Sequence, residues 1–359
     1  MCKTKYMAMF IGLALAVMAC LPATGRAADI ISLAGGSVGQ GACAVRLPDG
    51  TSVLAVTFAY SDNVFIYEWN KSSRSFETRQ VMDVGYMHGL ANDLPRDILP
   101  LDVNRDGYED LVVLNSGNTY TVLGTIEVLE GRPDGSFIPL PTEYVESQQP
   151  YQSNNMPVTL AAGHLNSDPH MDFAVGLGSV NRVALQRGED LSYIRWMTDV
   201  NPPFGDNESP GVQIADLDGD GINDLITGSG SSIFLHKGKG NFMFDPPSTI
   251  EVFASYPYFR HFRVSSLAIA DLNQNGRLDL IAGSYEGFVL VYWDPVFDED
   301  HRGKSRHDGS LHEEPLLIRP FGSGPQRNVS DVDAVDWDMD GQPEIVAVNR
   351  VDNLVGIIR

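Results

Sequence analysis

Three features predict an all-β protein, a β-propeller of six four-stranded antiparallel blades with an N-terminal strand closing the last one. An acidic turn set between apolar runs recurs along the chain, at positions 102, 164, 216, 271 and 336. Three or four short β-branched and aromatic runs fill each interval. No sustained 3.6-residue apolar periodicity appears after the first 27 residues. Intervals of 62, 52, 55 and 65 residues are too long for most solenoid units and suit one small sheet per repeat.

The N-terminus reads separately. Lys3 and Lys5 precede an apolar run from Met7 to Met18, and small residues lead to Arg26-Ala27-Ala28. That is the layout of a secretory leader, residues 1–27, and is short for a membrane span. Val17-Met18-Ala19-Cys20 also resembles a bacterial lipobox, which would leave a lipidated Cys20. Export to the periplasm or beyond is expected in either case, and an uncleaved N-terminal anchor is the remaining alternative. A single propeller domain over residues 28–359 would follow, with blades near 39–90, 91–155, 156–207, 208–260, 261–325 and 326–359 plus 28–35. Its chain lacks any second membrane-length apolar stretch, and with the leader removed only Cys43 remains, so an internal disulfide is excluded and the lone thiol is expected to be buried. The net charge of −22 removes nucleic acid and anionic membrane as expected partners.

The first unit keeps strand-like runs at 42–47, 52–58 and 63–69, but its turn, Pro48-Asp49-Gly50, has lost the metal-ligand set. The second enters Asp102-Val103-Asn104-Arg105-Asp106-Gly107-Tyr108-Glu109-Asp110 and leaves through Leu111 to Leu114. The third is damaged: His164 stands in place of the first acid and Pro169 in place of the turn glycine, leaving Asn166, Asp168 and Asp172 as residual oxygen donors. The fourth holds the clearest loop, Asp216-Leu217-Asp218-Gly219-Asp220-Gly221-Ile222-Asn223-Asp224. A fifth runs from Asp271 to Asp279 and carries the longest polar insertion, residues 294–314. The sixth runs from Asp336 to Glu344 and ends one strand short, hence the assignment of residues 29–33 to its sheet. A seventh blade is open only if one is hidden between Asp294 and Arg327.

Carboxylates on alternate residues of a tight turn aim their oxygens at one point, which is costly without a hard cation there. Oxygen donors without His or Cys favour calcium. The expected ligands occupy positions 1, 3, 5, 7 and 9, position 7 through its backbone carbonyl. They are Asp102, Asn104, Asp106, Tyr108 and Asp110; Asp216, Asp218, Asp220, Ile222 and Asp224; Asp271, Asn273, Asn275, Arg277 and Asp279; and Asp336, Asp338, Asp340, Gln342 and Glu344. About four structural calcium ions are therefore expected. An EF-hand is excluded, because position 12 falls on Val113, Thr227, Ala282 and Ala347.

The unit Ala-Asp-x-Asp-x-Asp-Gly-x-x-Asp-Leu resembles the FG-GAP or VCBS repeat of integrin alpha-chain-like β-propellers, best over residues 214–228, 269–283 and 101–114. The turns at 131–137 and 238–242 resemble the Gly-x-Gly-x-Phe tail of the same repeat. The resemblance implies calcium loops joining the first and second strands of each blade on one face, with partners bound on the other, and often seven blades. Tyr120, Arg182, Tyr256, Tyr258, Arg260, Tyr285 and Arg350 are the ligand candidates on that second face. Aromatic rings among arginines suit glycan or protein recognition, although loops of any propeller carry such residues and some rings pack between blades.

No nucleophile elbow, phosphate loop or zinc motif is present, so no catalytic residue is assigned. The expected function is that of an exported, calcium-stabilised, monomeric binding or scaffold module. One alternative is a calcium-dependent carbohydrate-active enzyme of polysaccharide-lyase type, with His, Arg and carboxylate in a deep central pocket. Another is a structural component of the cell envelope.

Overall fold

The computed structural model describes residues 29–32, 39–70, 72–73, 75–84, 94–117, 124–140, 143–144, 157–178, 182–190, 193–200, 211–251, 263–295, 316–321, 328–336, 341–352 and 354–358. The leader assigned to residues 1–27 lies outside them.

In chain order, β1 (Asp29–Ser32) is followed by a first antiparallel meander, β2 (Gly39–Arg46), β3 (Ser52–Phe58), β4 (Asn63–Asn70) and β5 (Ser75–Asp83). Next come β6 (Pro95–Leu101), β7 (Asp110–Asn115), β8 (Thr125–Gly131), β9 (Phe137–Pro139) and β10 (Glu143–Tyr144). A third sheet holds β11 (Pro157–Gly163), β12 (Asp172–Leu177), β13 (Arg182–Asp190) and β14 (Tyr193–Val200). The fourth holds β15 (Gly211–Ala215), β16 (Asp224–Ser229), β17 (Ser232–His236) and β18 (Ser248–Glu251). The fifth holds β19 (Val264–Ala270), β20 (Asp279–Ser284), β21 (Val289–Tyr292) and β22 (Leu316–Ile318). Last come β23 (Asp331–Val335), β24 (Glu344–Asn349) and β25 (Leu354–Ile358).

The expected set of uniform four-stranded blades is corrected in two ways. Only five sheets are built from consecutive strands; the remaining one has three, β23 to β25, and takes β1 from the other end of the described chain, Asp29 opposite Ile357 and Ser32 opposite Leu354. The second sheet also departs from four strands. Its outer edge is shared by β9, paired to the end of β8, and β10, paired to the start of β8. Pairing with β8 runs on to Leu140, whose N–H donates to the Val128 carbonyl at 2.8 Å, and resumes at Glu143 opposite Ile126, so one outer strand becomes two short ones.

The first strands of the sheets, β2, β6, β11, β15, β19 and β23, touch in succession, and β23 touches β2, so the ring is closed. Second strands such as β7, β16, β20 and β24 are buried at every residue. Each has a neighbouring strand on both edges and a neighbouring sheet over both faces, which is why these runs read as unbroken apolar stretches instead of alternating ones. The core accordingly lies between sheets. Leu54, Val56, Phe58 and Tyr67 of the first sheet pack on Val346, Val348, Val355 and Ile357 of the last, which seals the ring. Cys43 is buried, as its apolar surroundings in sequence suggested.

Inner strands expose a ladder edge to the axis, and side chains of neighbouring sheets satisfy part of it. Asp97 on β6 accepts the Leu160 N–H of β11 at 2.7 Å. Gln213 on β15 donates to the Leu267 carbonyl of β19 at 2.7 Å. Asp331 on β23 accepts the Ala42 N–H of β2 at 2.8 Å and the Ser266 hydroxyl of β19 at 2.5 Å. Burial raises the pKa values of these carboxyls: Asp97 and Asp331 are pushed up, and Asp333 is raised to about 7, first by loss of bulk water and further by the Asp331 charge. An unfolded Asp releases its proton near pH 3.9, whereas folded Asp333 holds it to about 7. The folded state thus binds more protons across that window, and this part of the stability falls as pH rises from about 4 to about 7. Melting temperatures of wild type and Asp333→Asn, in saturating calcium from pH 5 to 8, should show wild type losing ground to the variant by several degrees as pH rises. Parallel curves would contradict the assignment.

Candidate functional site

The acidic loops join the first and second strands of their sheets, β6 to β7, β15 to β16, β19 to β20 and β23 to β24. Local hydrogen bonding gives the described loops one shape. Asp102, Asp216 and Asp271 at position 1 accept the N–H groups of residues four and five further on, at 2.7–3.1 Å. Asn104, Asp218 and Asn273 at position 3 accept the position-5 N–H. Asp106, Asp220 and Asn275 at position 5 accept the N–H of Tyr108, Ile222 and Arg277. The glycine at position 6 has φ of 83–89° at Gly107, Gly221, Gly276 and Gly341, a conformation that only glycine adopts without strain.

Position 9 does more than the sequence suggested. Asp110, Asp224 and Asp279 are fully buried. One oxygen of each accepts the position-2 N–H, from Val103, Leu217 and Leu272 at 2.9–3.0 Å. The other accepts an N–H just past or at the end of the third strand, from Gly131, Gly238 and Asp294 at 2.8–3.0 Å. This carboxylate therefore staples loop to sheet whether or not a cation is present. A Cβ at Gly131 or Gly238 would stand 2.1 Å from the carbonyl oxygen of Glu109 or Asn223, which explains the first glycine of each Gly-x-Gly-x-Phe turn. Burial raises Asp224 and Asp279 to about 6 despite those bonds.

The fourth loop brings ligand oxygens of Asp216, Asp218 and Asp224 within 4.8 Å of one another, so this cluster can coordinate a metal ion. In the last loop, buried Asp336 Oδ1 has no hydrogen-bond partner, as a carboxylate oxygen awaiting a cation would. Oxygen-only donors around a left-handed glycine turn fit calcium. Lys237, next after β17, sets its ammonium against Asp218 and 3.0 Å from Asp220. In the loops poorer in acid, carboxylates come from the same region instead: Glu130 lies 3.4 Å from Asn104 Nδ2, and Asp294 lies 3.0 Å from Asn275 Nδ2. These third-strand residues were missed because nothing local to the acidic loop marks them. In the damaged loop, the His164 ring hydrogen-bonds at 3.0 Å to the carbonyl of His170 in position 7, the carbonyl an ion would use.

At the opposite end of the inner strands, a cavity of about 260 Å³ opens on the ring axis. Arg96, Arg263, Tyr285 and Arg350 meet there, with Asp97 and Asp331 also in its lining. Arg96 donates to Gln40 at 3.0 Å, and its buried Nε has no partner. The guanidiniums of Arg263 and Arg350 sit 5.4 and 5.5 Å from the centre of the Tyr285 ring. Glu286 neutralises Arg263 at 2.9 Å. Burial first, and then the Arg350 charge, lower the pKa of Arg96, a cost that an anion would relieve. The described lining includes no histidine.

Of the ligand candidates, the structure thus brings Tyr285 and Arg350 together. Arg182 begins β13, and its side chain is not described. Tyr120, Tyr256, Tyr258 and Arg260, like the metal candidates Asp338 and Asp340, lie outside the described residues. Arg96 and Arg263 escaped the sequence reading because they belong to the starts of inner strands, in polar stretches without a motif.

The FG-GAP-like repeat family matches residues 216–282, which contain the fourth and fifth loops. The chain is 28% identical to mouse (Mus musculus) integrin alpha-11 over 127 residues, 33% of this chain but only 10% of the integrin. Among solved structures, a luciferin-regenerating enzyme is similar with a TM-score of 0.55 at 11% identity, over 92% of this chain and 94% of that one. BBS1N in its complex with ARL6DN, soaked with lead, gives a TM-score of 0.45 at 12% identity over 88% and 77%. The chain is thus a β-propeller with a distant FG-GAP-like match over residues 216–282 and a weak likeness to an integrin alpha chain. No helix among the described residues is long and apolar enough to cross a membrane.

Proposed function

We propose that this chain is an exported, calcium-stabilised propeller that binds glycan or protein at the axial mouth opposite its acidic loops. The observation that carries this reading is the gathering of Arg96, Arg263, Tyr285 and Arg350 around one cavity at the end of the ring remote from the metal cluster. Strand starts and short second-to-third-strand turns present the polar groups, while the loops at the other end supply stability, a division of labour suited to recognition. In this reading the loops starting at Asp102, Asp216, Asp271 and Asp336 each take one ion, and the domain spans residues 28–359 after loss of the leader, as a monomer. Export to a calcium-rich space fits the loops, since sites of modest affinity fill there. Relevant support for the leader is its basic start and apolar run.

A glycan array and a pull-down with the secreted chain, in calcium and in chelator, test the proposal. Binding in calcium that is lost with Arg350→Gln is expected. Silence in both assays would overturn it in favour of a structural envelope role.

A further inference from the structure

We infer that the axial mouth recognises a carboxylate-bearing sugar, a uronic acid at the end of a short glycan. This rests on the binding reading above and narrows it to one ligand chemistry. The chain carries −22 net charge, yet three arginines meet at one cavity. Glu286 offsets only Arg263; Arg350 has no acidic partner among the described residues, and Arg96 keeps a buried, unpartnered Nε. A buried guanidinium with an open donor is costly and is relieved by a planar oxyanion able to take two parallel N–H bonds. Tyr285, between Arg263 and Arg350, keeps two of the guanidiniums beside the cavity.

The floor has the opposite character. Asp97 and Asp331 lie in the same cavity, with their hydrogen-bond donors drawn from the strands and Ser266. A carboxylate has room for further donors on each oxygen, so hydroxyl groups entering the cavity find acceptors there. Sulfate would set more negative charge against this acidic floor and offers no hydroxyl donor, and phosphate brings similar charge without the array of hydroxyls a sugar carries. A sugar carboxylate matches both layers: its anionic group meets the arginines and its hydroxyls meet the aspartates. The same −22 charge repels an extended polyanion, so a terminal residue is favoured over the middle of a long chain.

The probe is a glucuronic acid trisaccharide, titrated calorimetrically into the full secreted chain in calcium, beside its neutral methyl ester, a longer oligomer, inorganic sulfate and an acidic peptide. The trisaccharide should bind at least tenfold more tightly than its ester, with no gain in affinity per molecule for the longer oligomer. Arg350→Gln should cost at least tenfold with the melting temperature unchanged, and Tyr285→Phe should keep binding because the ring remains. Equal binding of acid and ester would overturn the inference, as would sulfate or the peptide binding as well as the trisaccharide. If those results come with a different ligand on the array that still requires Arg350, the binding reading stands and only the uronate assignment fails. If no probe binds and the array is silent, both fail.

Discussion

Chelation of the purified chain is expected to lower its melting temperature by roughly 5 °C. The fourth-loop cluster can hold a cation, and three further loops share its sequence pattern. Extracellular calcium modules bind in the range of about 0.1–1 mM. At millimolar calcium, mass action then gives about 0.5–1.5 kcal/mol per site. The four sites proposed would sum to a few kcal/mol, and each kcal/mol moves the midpoint of a domain this large by about 1–2 °C. Without the ion, carboxylates at positions 1, 3 and 5 repel one another and the turn loosens. Differential scanning fluorimetry, with metal content measured on the same samples, checks this. An unchanged midpoint in a sample proven metal-free would refute calcium stabilisation.

Asp224→Ala should destabilise even when no metal is present, by about 4 kcal/mol. Its carboxylate is fully buried and holds the N–H groups of Leu217 at 2.9 Å and Gly238 at 2.8 Å. Removing it leaves two donors without acceptors, at about 1–3 kcal/mol each, and a small cavity. Asp220→Asn, at the exposed rim of the same loop, should behave differently. Its one described backbone bond, to Ile222 N–H, survives in an amide, and the ion pair it loses with Lys237 is open to solvent and weak, so mainly the calcium increment should shrink. Urea denaturation of both variants in calcium and in chelator separates the roles. If Asp224→Ala matches wild type once calcium is removed, the staple does not hold loop to sheet.

The loop positions were legible because each depends on neighbours in sequence. A glycine at position 6 with φ near 85° and acids on alternate residues follow from turn geometry alone. The buried second strands were equally plain as apolar runs. The split outer edge at β9 and β10 was not legible, because two short runs interrupted by Pro139 and Pro141 become strands only once β8 lies beside them. Nor was the double role of position 9: Gly131, Gly238 and Asp294 reach it only after the third strand has folded back beside the loop. His164 looked like a lost ligand, and the structure gives it a bond of its own across the turn.

By itself the sequence determined the repeat, its strand content, the oxygen chemistry of its loops and the acidic character of the chain, since each is set by residues within one turn or strand of each other. Tertiary structure alone decided that Arg96 of the second sheet, Arg263 and Tyr285 of the fifth and Arg350 of the last share one cavity above Asp97 and Asp331. The reason is geometric: closing the ring brings the starts of the inner strands and the second-to-third-strand turns to a common axis, and no spacing along the chain encodes that meeting.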